Sequence, residues 1–356
     1  MTLNKSKTIN LMDLSIEETG ELVAGLGEPR FRAAQIYKWV HQKGVSRFDE
    51  MTDLSLKLRE RLQALTTPGS LEILTRQKSK DGTVKFLFGL ADRETVESVF
   101  LPHDYGNSVC VSTQVGCRMG CGFCASTMGG LVRNLTPGEI YAQVTGIQND
   151  TGKRVSSIVI MGSGEPMDNL DHVLKFITMI TAASGLQIGA RHITLSTCGV
   201  VPGIMKLAAF DLQITLSVSL HAPNDLLRDT MMPVNRKYPV RQLMEACREY
   251  ISVTNRRVTF EYALIKGVND SAGQAEELVR LLRGMLCHVN LIPLNRVDER
   301  EYRQSDRERV QNFREVLEGA GIPVTVRREK GADIDAACGQ LRRRAVKEWR
   351  WPDGLL

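Results

Sequence analysis

From residue 109 onward, short runs rich in β-branched residues alternate with helical stretches, and this alternation limits the possible folds more than any other feature. The strand candidates are SVCVSTQV, SSIVIM, HITLST, QITLSVSL, VTFEYALI, HVNLIPL and PVTVRR, bounded by Gly, Pro and Asn. Helices are predicted between them, and several carry their own start signals. Thr136-Pro137-Gly138-Glu139 reads as a capping box with a first-turn proline, and Ser271 with Gln274 and Ser305 with Glu308 repeat the pairing. Strands alternating with helices build a parallel sheet, so the fold class is α/β, expected to curl into a full or partial barrel.

Upstream, SIEETGELVAGL, FRAAQIYKWVHQ and SLKLRERLQAL read as short helices. LEILTRQKSKDGTVKFLFGL follows as two alternating runs joined by Asp81-Gly82, a strong hairpin signal. The chain of 356 residues therefore divides into a helical region over 1–66, a β-hairpin over 67–95, a core over 96–330 and a C-terminal loop and basic tail over 331–356. No apolar run approaches the length of a membrane span, and the N-terminus lacks the apolar stretch of a signal peptide, so a soluble, cytoplasmic protein is expected; a monomer is expected as well. A net charge of +5 permits an RNA partner without demanding one.

Eight cysteines in such a chain point to metal or catalytic work rather than to a disulfide framework. Three of them, Cys117, Cys121 and Cys124, stand in CRMGCGFC with spacing C-x3-C-x2-C. Three soft thiolates in one tight loop suit zinc or an iron–sulfur cluster. A closed zinc site wants a fourth protein ligand from a second pair, whereas Cys110, Cys198, Cys247, Cys287 and Cys338 each stand alone. A 4Fe–4S cluster on three cysteines would keep one iron open. Other polar signals fall at or just past predicted strand ends, where parallel barrels build their sites. These are GSGEP (Gly162 to Pro166), Ser196, Ser219-Leu220-His221 and Asn295. Gly164 would let backbone approach a ligand, and Glu165 could receive an ammonium group. Ser196 alone is an ordinary strand-end serine, and a lone His221 is usually a satisfied polar residue. Their shared placement lifts them above that.

CVSTQVGCRMGCGFCASTMGGLVRNL, GSGEP, SLH and IDAACGQL together resemble the RlmN/Cfr family of radical S-adenosylmethionine (SAM) RNA methyltransferases, with FRAAQIYKWV resembling the family's small helical domain. The resemblance is strongest to the RlmN branch. It implies a partial (βα) barrel radical SAM core, an RNA-binding helical domain over 1–66 and a hairpin extension. It also implies methylation of adenine C2 in 23S rRNA and, for some members, of the adenosine beside the tRNA anticodon.

By that resemblance Cys117, Cys121 and Cys124 hold one 4Fe–4S cluster. Gly164, Glu165, Ser196, Ser219, Leu220, His221 and Asn295 hold SAM, of which two molecules are used per turnover. C2 lies between two ring nitrogens and is too electron-poor to attack a sulfonium methyl, so the cofactor must supply radical chemistry. Cys338 carries the methyl group, Glu97 takes the C2 proton, and Cys110 resolves the RNA–protein adduct through a transient disulfide that a reductant, not identified by the sequence, must reopen. An adenine folded inside RNA has to be unstacked, which favours naked or partly assembled rRNA over a finished ribosome. Rival readings are a Cfr-like C8 methyltransferase conferring antibiotic resistance, a dithiol oxidoreductase cycling Cys110 and Cys338, and a non-catalytic iron–sulfur or zinc RNA-binding protein. Cys198, Cys247 and Cys287 are read as core or incidental.

Overall fold

Ser15 accepts from the Glu18 amide while the Glu18 carboxylate accepts from the Ser15 amide, and this reciprocal cap starts α1 (Ile16–Gly25). The computed structural model describes residues 8–294, 301–328, 330–331, 333–334 and 339–348, without the side chains of 345–348. Asn295 and Cys338 therefore lie outside the described residues. α2 (Phe31–Tyr37) and α3 (Leu56–Leu65) complete the helices expected near the N-terminus, and β1 (Ile9–Asn10) pairs in parallel with β2 (Thr66–Thr67) to close the region on itself.

The expected hairpin forms from β3 (Glu72–Lys78) and β4 (Val84–Gly89), with Gly82 at φ +84° and Asp81 Oδ1 accepting from the Thr83 amide at 2.9 Å. Two more antiparallel strands follow, β5 (Thr95–His103) and β6 (Gly106–Cys110). The run SVCVSTQV, expected to be one strand, splits after Cys110. Beyond it the backbone turns to bond the GSGEP loop: Gly162 donates to Val111 O at 3.0 Å, and Thr113 donates to Ser163 O at 3.0 Å. β7 (Gln114–Gly116) and β8 (Leu131–Asn134) then form a short ribbon that brackets the cysteine loop.

α4 (Pro137–Thr151) starts at the predicted Thr136–Glu139 box, and β9 (Val155–Ile160) returns parallel to β6. The alternation continues through α5 (Leu170–Thr181), β10 (Ile193–Thr197), α6 (Val201–Ala208), β11 (Thr215–Ser219), α7 (Asp225–Met231), α8 (Val240–Thr254) and β12 (Val258–Leu264). It ends with α9 (Ala272–Leu282), β13 (Cys287–Pro293), α10 (Arg307–Gly319), β14 (Val324–Val326) and α11 (Gln340–Glu348). Ten strands make one sheet in the order β14-β13-β12-β11-β10-β9-β6-β5-β4-β3, parallel from β14 to β6 and antiparallel beyond. The hairpin thus continues the core sheet.

The Ser271–Gln274 box caps α9 as expected, but the Ser305–Glu308 box does not form. Ser305 Oγ donates to the buried Asp270 carboxylate at 2.6 Å, and Asp306 takes the N-cap position. A long-range acceptor outcompetes the local one.

The N-terminal helices pack directly on the core. The Gly138 amide, in the first turn of α4, donates to Asp13 Oδ1 at 2.7 Å. His41 is buried, stacked on Tyr37 with centroids 3.7 Å apart and edge-on to Tyr141 of α4 at 5.0 Å. Burial lowers its pKa to about 4, with the Met12 and Tyr37 carbonyls only partly opposing the shift. The sign follows from linkage. As pH falls below the ordinary value of 6.5, the unfolded chain binds a proton that the fold refuses until about pH 4. Stability from this group is complete above 6.5 and is lost on the way down. We expect His41→Gln to remove about 2 kcal/mol of the stability lost between pH 7.5 and 5. Urea midpoints for parent and variant at both pH values measure it, and parallel pH profiles would refute it.

Candidate active site

The parallel strands end on one side in a cavity of about 280 Å³, large enough for a nucleoside-sized ligand rather than a lone ion. Cys117, Cys121 and Cys124 line it from the loop between β7 and β8. The loop is held locally: the Cys117 amide donates to Gly130 O at 2.9 Å, and Thr127 Oγ1 donates to the carbonyls of Cys121 and Cys124. Gly116 enters the loop at φ +77°, where a Cβ would lie 2.0 Å from Gly130 O, so only glycine fits.

Burial raises the Cys117 thiol to about 12, and burial together with Cys124 and Cys117 pushes Cys121 higher still. Two thiols that resist ionising, with a third beside them, are a donor set awaiting a cationic partner, which would reverse the balance. Among the described residues no three His, Cys, Asp or Glu side chains are grouped to hold a single metal ion. Thiols spread around the wall of one cavity suit a polynuclear metal–sulfur group, whose ligands stand farther apart than the corners of a zinc tetrahedron. The residues present fit that group.

Opposite the thiols lies the GSGEP loop after β9. Gly164, at φ +109°, brings backbone against Gln114, whose Oε1 accepts the Glu165 amide at 2.8 Å. Glu165 is buried, and its pKa is raised because burial outweighs the amides of Cys198 and Met167 that donate to it at 2.8 and 3.1 Å. The described partners of its carboxylate are all neutral, so an incoming ammonium would supply the missing counter-charge.

Ser196 and Ser219, at the ends of β10 and β11, line the same cavity. Leu220 does not line the cavity: its amide donates to Glu261 O at 3.1 Å, its carbonyl accepts from Arg228 Nε at 3.0 Å, and its side chain is buried in the core. His221 sits at φ +58°, and its Nδ1 accepts the Ala263 amide at 2.9 Å. That fixes the proton on Nε2. Burial, then the charge of Arg228, lowers its pKa to about 3, so His221 offers the cavity a neutral donor.

Besides Leu220, two candidates sit outside the cavity wall. Cys110 is buried at the end of β6, opposite Val99 of β5 and Val159 of β9. Glu97 is buried on β5 with its carboxylate fully engaged. It pairs with Lys85 Nζ at 3.1 Å and accepts the backbone amides of Gly339 at 2.7 Å and Arg342 at 2.6 Å, the latter two from the start of α11.

Four participants escaped the sequence. Glu261 of β12 lines the cavity, held by Ser217 Oγ at 2.7 Å and Asn290 Nδ2 at 2.8 Å, and its pKa is raised because burial outweighs those bonds. Arg327 and Cys198 line the cavity too, Cys198 with a pKa raised by burial and then by Glu165. Arg228 is wholly buried behind the wall. Glu261 alternates with apolar neighbours on an interior strand, so VTFEYALI did carry a readable oddity: an acid on a strand expected to be covered on both faces.

Among the described residues no helix is long and apolar enough to cross a membrane. Residues 9–67 match the Ribosomal RNA large subunit methyltransferase N-terminal domain, and residues 111–282 match the Radical SAM superfamily. A relative named Probable dual-specificity RNA methyltransferase RlmN, from Desulforamulus reducens, is 60% identical over 345 residues, covering 97% of this chain and 99% of the relative. One of the same name from Pelotomaculum thermopropionicum is 60% identical over 338 residues, covering 94% and 92%. The crystal structure of a radical SAM methyltransferase from Sphaerobacter thermophilus superposes with TM-score 0.90 at 46% identity, covering 93% of this chain and 98% of that one. With the thiol triad and the GSGEP carboxylate on one cavity at the strand ends, and relatives matched over nearly their whole length, this chain belongs to the RlmN family of radical SAM RNA methyltransferases.

Proposed function

We propose that the chain methylates C2 of one adenine in 23S rRNA, and the adenine beside a tRNA anticodon, carrying the methyl group on Cys338. The observation that supports this best is the convergence of Cys117, Cys121, Cys124, Glu165, Ser196 and His221 on one cavity. The three cysteines would hold one 4Fe–4S cluster. Glu165 would bind the ammonium of SAM, with Gly164 allowing close approach of backbone. Ser196, Ser219, the Leu220 backbone, the His221 Nε2–H and Asn295 would orient the rest. When bound, the cluster and two SAM molecules per turnover supply a methyl group and the one-electron chemistry needed to activate it.

The remaining work falls to the chain's own residues. Cys338 accepts the methyl group on sulfur and presents it to C2. Glu97 takes the C2 proton, for which its carboxylate must first leave the Gly339 and Arg342 amides. Cys110 attacks the Cys338 sulfur, freeing the methylated RNA and leaving a disulfide for a cellular reductant. The helical region over 1–66 serves as the RNA-binding accessory domain, working in the cytoplasm on rRNA before assembly is complete.

Mass spectrometry of digested RNA tests the reading, using anaerobically reconstituted protein, SAM, a reductant and a protein-free rRNA fragment beside intact 50S subunits. We expect 2-methyladenosine from the fragment, little from the subunits, and none from Cys338→Ala. An 8-methyladenosine product would overturn the C2 assignment. Equal turnover on both RNAs would overturn the assignment to unassembled rRNA.

A further inference from the structure

The hairpin turn between β3 and β4 has no part in the chemistry above, yet it makes specific contacts with chain some 250 residues away. Asp333 accepts from Ser79 Oγ and, at 3.1 Å, from the Lys80 amide. Gly331, at φ +66°, donates its amide to Asp81 Oδ2 at 3.0 Å. Asp81 is shaped for this by its own turn, Oδ1 accepting the Thr83 amide at 2.9 Å. Of these, Gly331 and Asp333 lie just before Cys338 in sequence.

A second anchor lies just after it. The Gly339 and Arg342 amides, orphan donors at the start of α11, are capped by Glu97, whose charge is matched by buried Lys85 on β4. The Arg342 guanidinium adds an ion pair with Glu94 at 2.8 Å. At Gly339, φ +87°, a Cβ would lie 2.7 Å from the Ser126 amide, two residues past Cys124. The chain after Cys338 thus rests on the loop that carries the thiol triad. Five positions lie between Asp333 and Gly339, and both ends of that span are fixed to the antiparallel side of the sheet.

We propose that the β3–β4 hairpin is a positioning element for Cys338. Ser79, Lys80 and Asp81 fix the approach to it through Gly331 and Asp333, and Lys85 with Glu97 fixes the exit through Gly339 and Arg342. This rests on the methyl-carrier reading only for its catalytic consequence. The hairpin contacts themselves hold whatever Cys338 does. Asp333 and Asp81 act through Cys338 and touch no substrate. A thiol tethered at both ends samples fewer positions than a free tail, and small misplacement of a reacting group costs rate steeply.

The test uses full-length protein with Asp333→Ala, Asp333→Asn and Asp81→Ala. The first readout, on metal-free protein without SAM, is the rate at which iodoacetamide alkylates Cys338, followed by peptide mass spectrometry. Losing two exposed-turn hydrogen bonds should speed alkylation by about tenfold in Asp333→Ala. Asp333→Asn keeps only one of the two acceptor oxygens, those for Ser79 Oγ and the Lys80 amide, and should fall between the parent and Asp333→Ala. The second readout, on reconstituted protein with SAM and no RNA, is the initial rate of Cys338 methylation. It should fall by roughly ten- to a hundredfold in Asp333→Ala, while iron content and SAM affinity stay unchanged. Parent-like alkylation and methylation in both alanine variants would overturn the proposal. If the parent itself gains no methyl group on Cys338, the methyl-carrier reading fails, and the alkylation rates still decide whether the hairpin holds the segment.

Discussion

Cys121→Ala protein, reconstituted anaerobically with iron and sulfide, retains no stable cluster and forms no methyladenosine. Cys117 and Cys121 are both buried. Cys121 shares an apolar pocket with Met231, Met232 and Val234, and burial raises it further than Cys117. Two thiolates from one loop cannot satisfy a cluster that leaves a single iron open, so loss of one removes the whole group. Alanine fills most of the same apolar space, and the fold should persist at a cost of about 1–2 kcal/mol. Iron content, the visible absorbance of the cluster and product formation measure the outcome, with circular dichroism showing that the fold is retained. A variant with parent-like iron and turnover would remove Cys121 from the ligand set.

Arg228→Met should destabilise the fold more than any conservative substitution in the cavity wall. The guanidinium is fully buried and ties together the ends of two strands. Its Nη2 donates to Cys198 O at 2.6 Å and Ser219 O at 3.1 Å, its Nε donates to Leu220 O at 3.0 Å, and its Nη1 donates to Asn235 Oδ1 at 3.0 Å. Methionine matches the volume but leaves three backbone carbonyls and an amide oxygen buried without donors. Breaking such a hydrogen-bonded buried charge costs on the order of 3–5 kcal/mol, a large part of a domain's 5–15. Urea unfolding measures it, and SAM affinity should fall together with stability because Ser219 and His221 follow the strand end that Arg228 holds. A loss below about 1 kcal/mol would mean that water or neighbouring groups satisfy those carbonyls. Arg228→Lys restores charge but not the planar fork, so it should recover only part of the loss.

The elements that sequence made visible are those whose causes are local. Strand and helix alternation, the Thr136 and Ser271 caps, the Asp81-Gly82 turn and the C-x3-C-x2-C loop each depend on residues within a few positions of one another. Ser305 shows the limit, because its hydroxyl prefers Asp270, 35 positions away, to the helix it could have capped. Arg228 was unreadable for the same reason, and Glu261 was readable only as an oddity: the part a buried charge plays is intelligible only once the carbonyls, hydroxyls and amides that satisfy it are known. Glu97 is a mixed case. Its candidacy came from the family resemblance, whereas its burial and its hold on Gly339 and Arg342 required the chain to come back to β5 from its far end.

That return has a consequence for biosynthesis. The Ser79–Asp333 and Glu97–Gly339 contacts span 254 and 242 positions. A ribosome adding roughly 5–20 residues per second needs on the order of 10–40 s to proceed from Cys124 to Gly339. Throughout that interval the nascent thiol loop lacks the segment that later rests on Ser126, so the side of the loop closed last in the finished protein is open longest while it is being made.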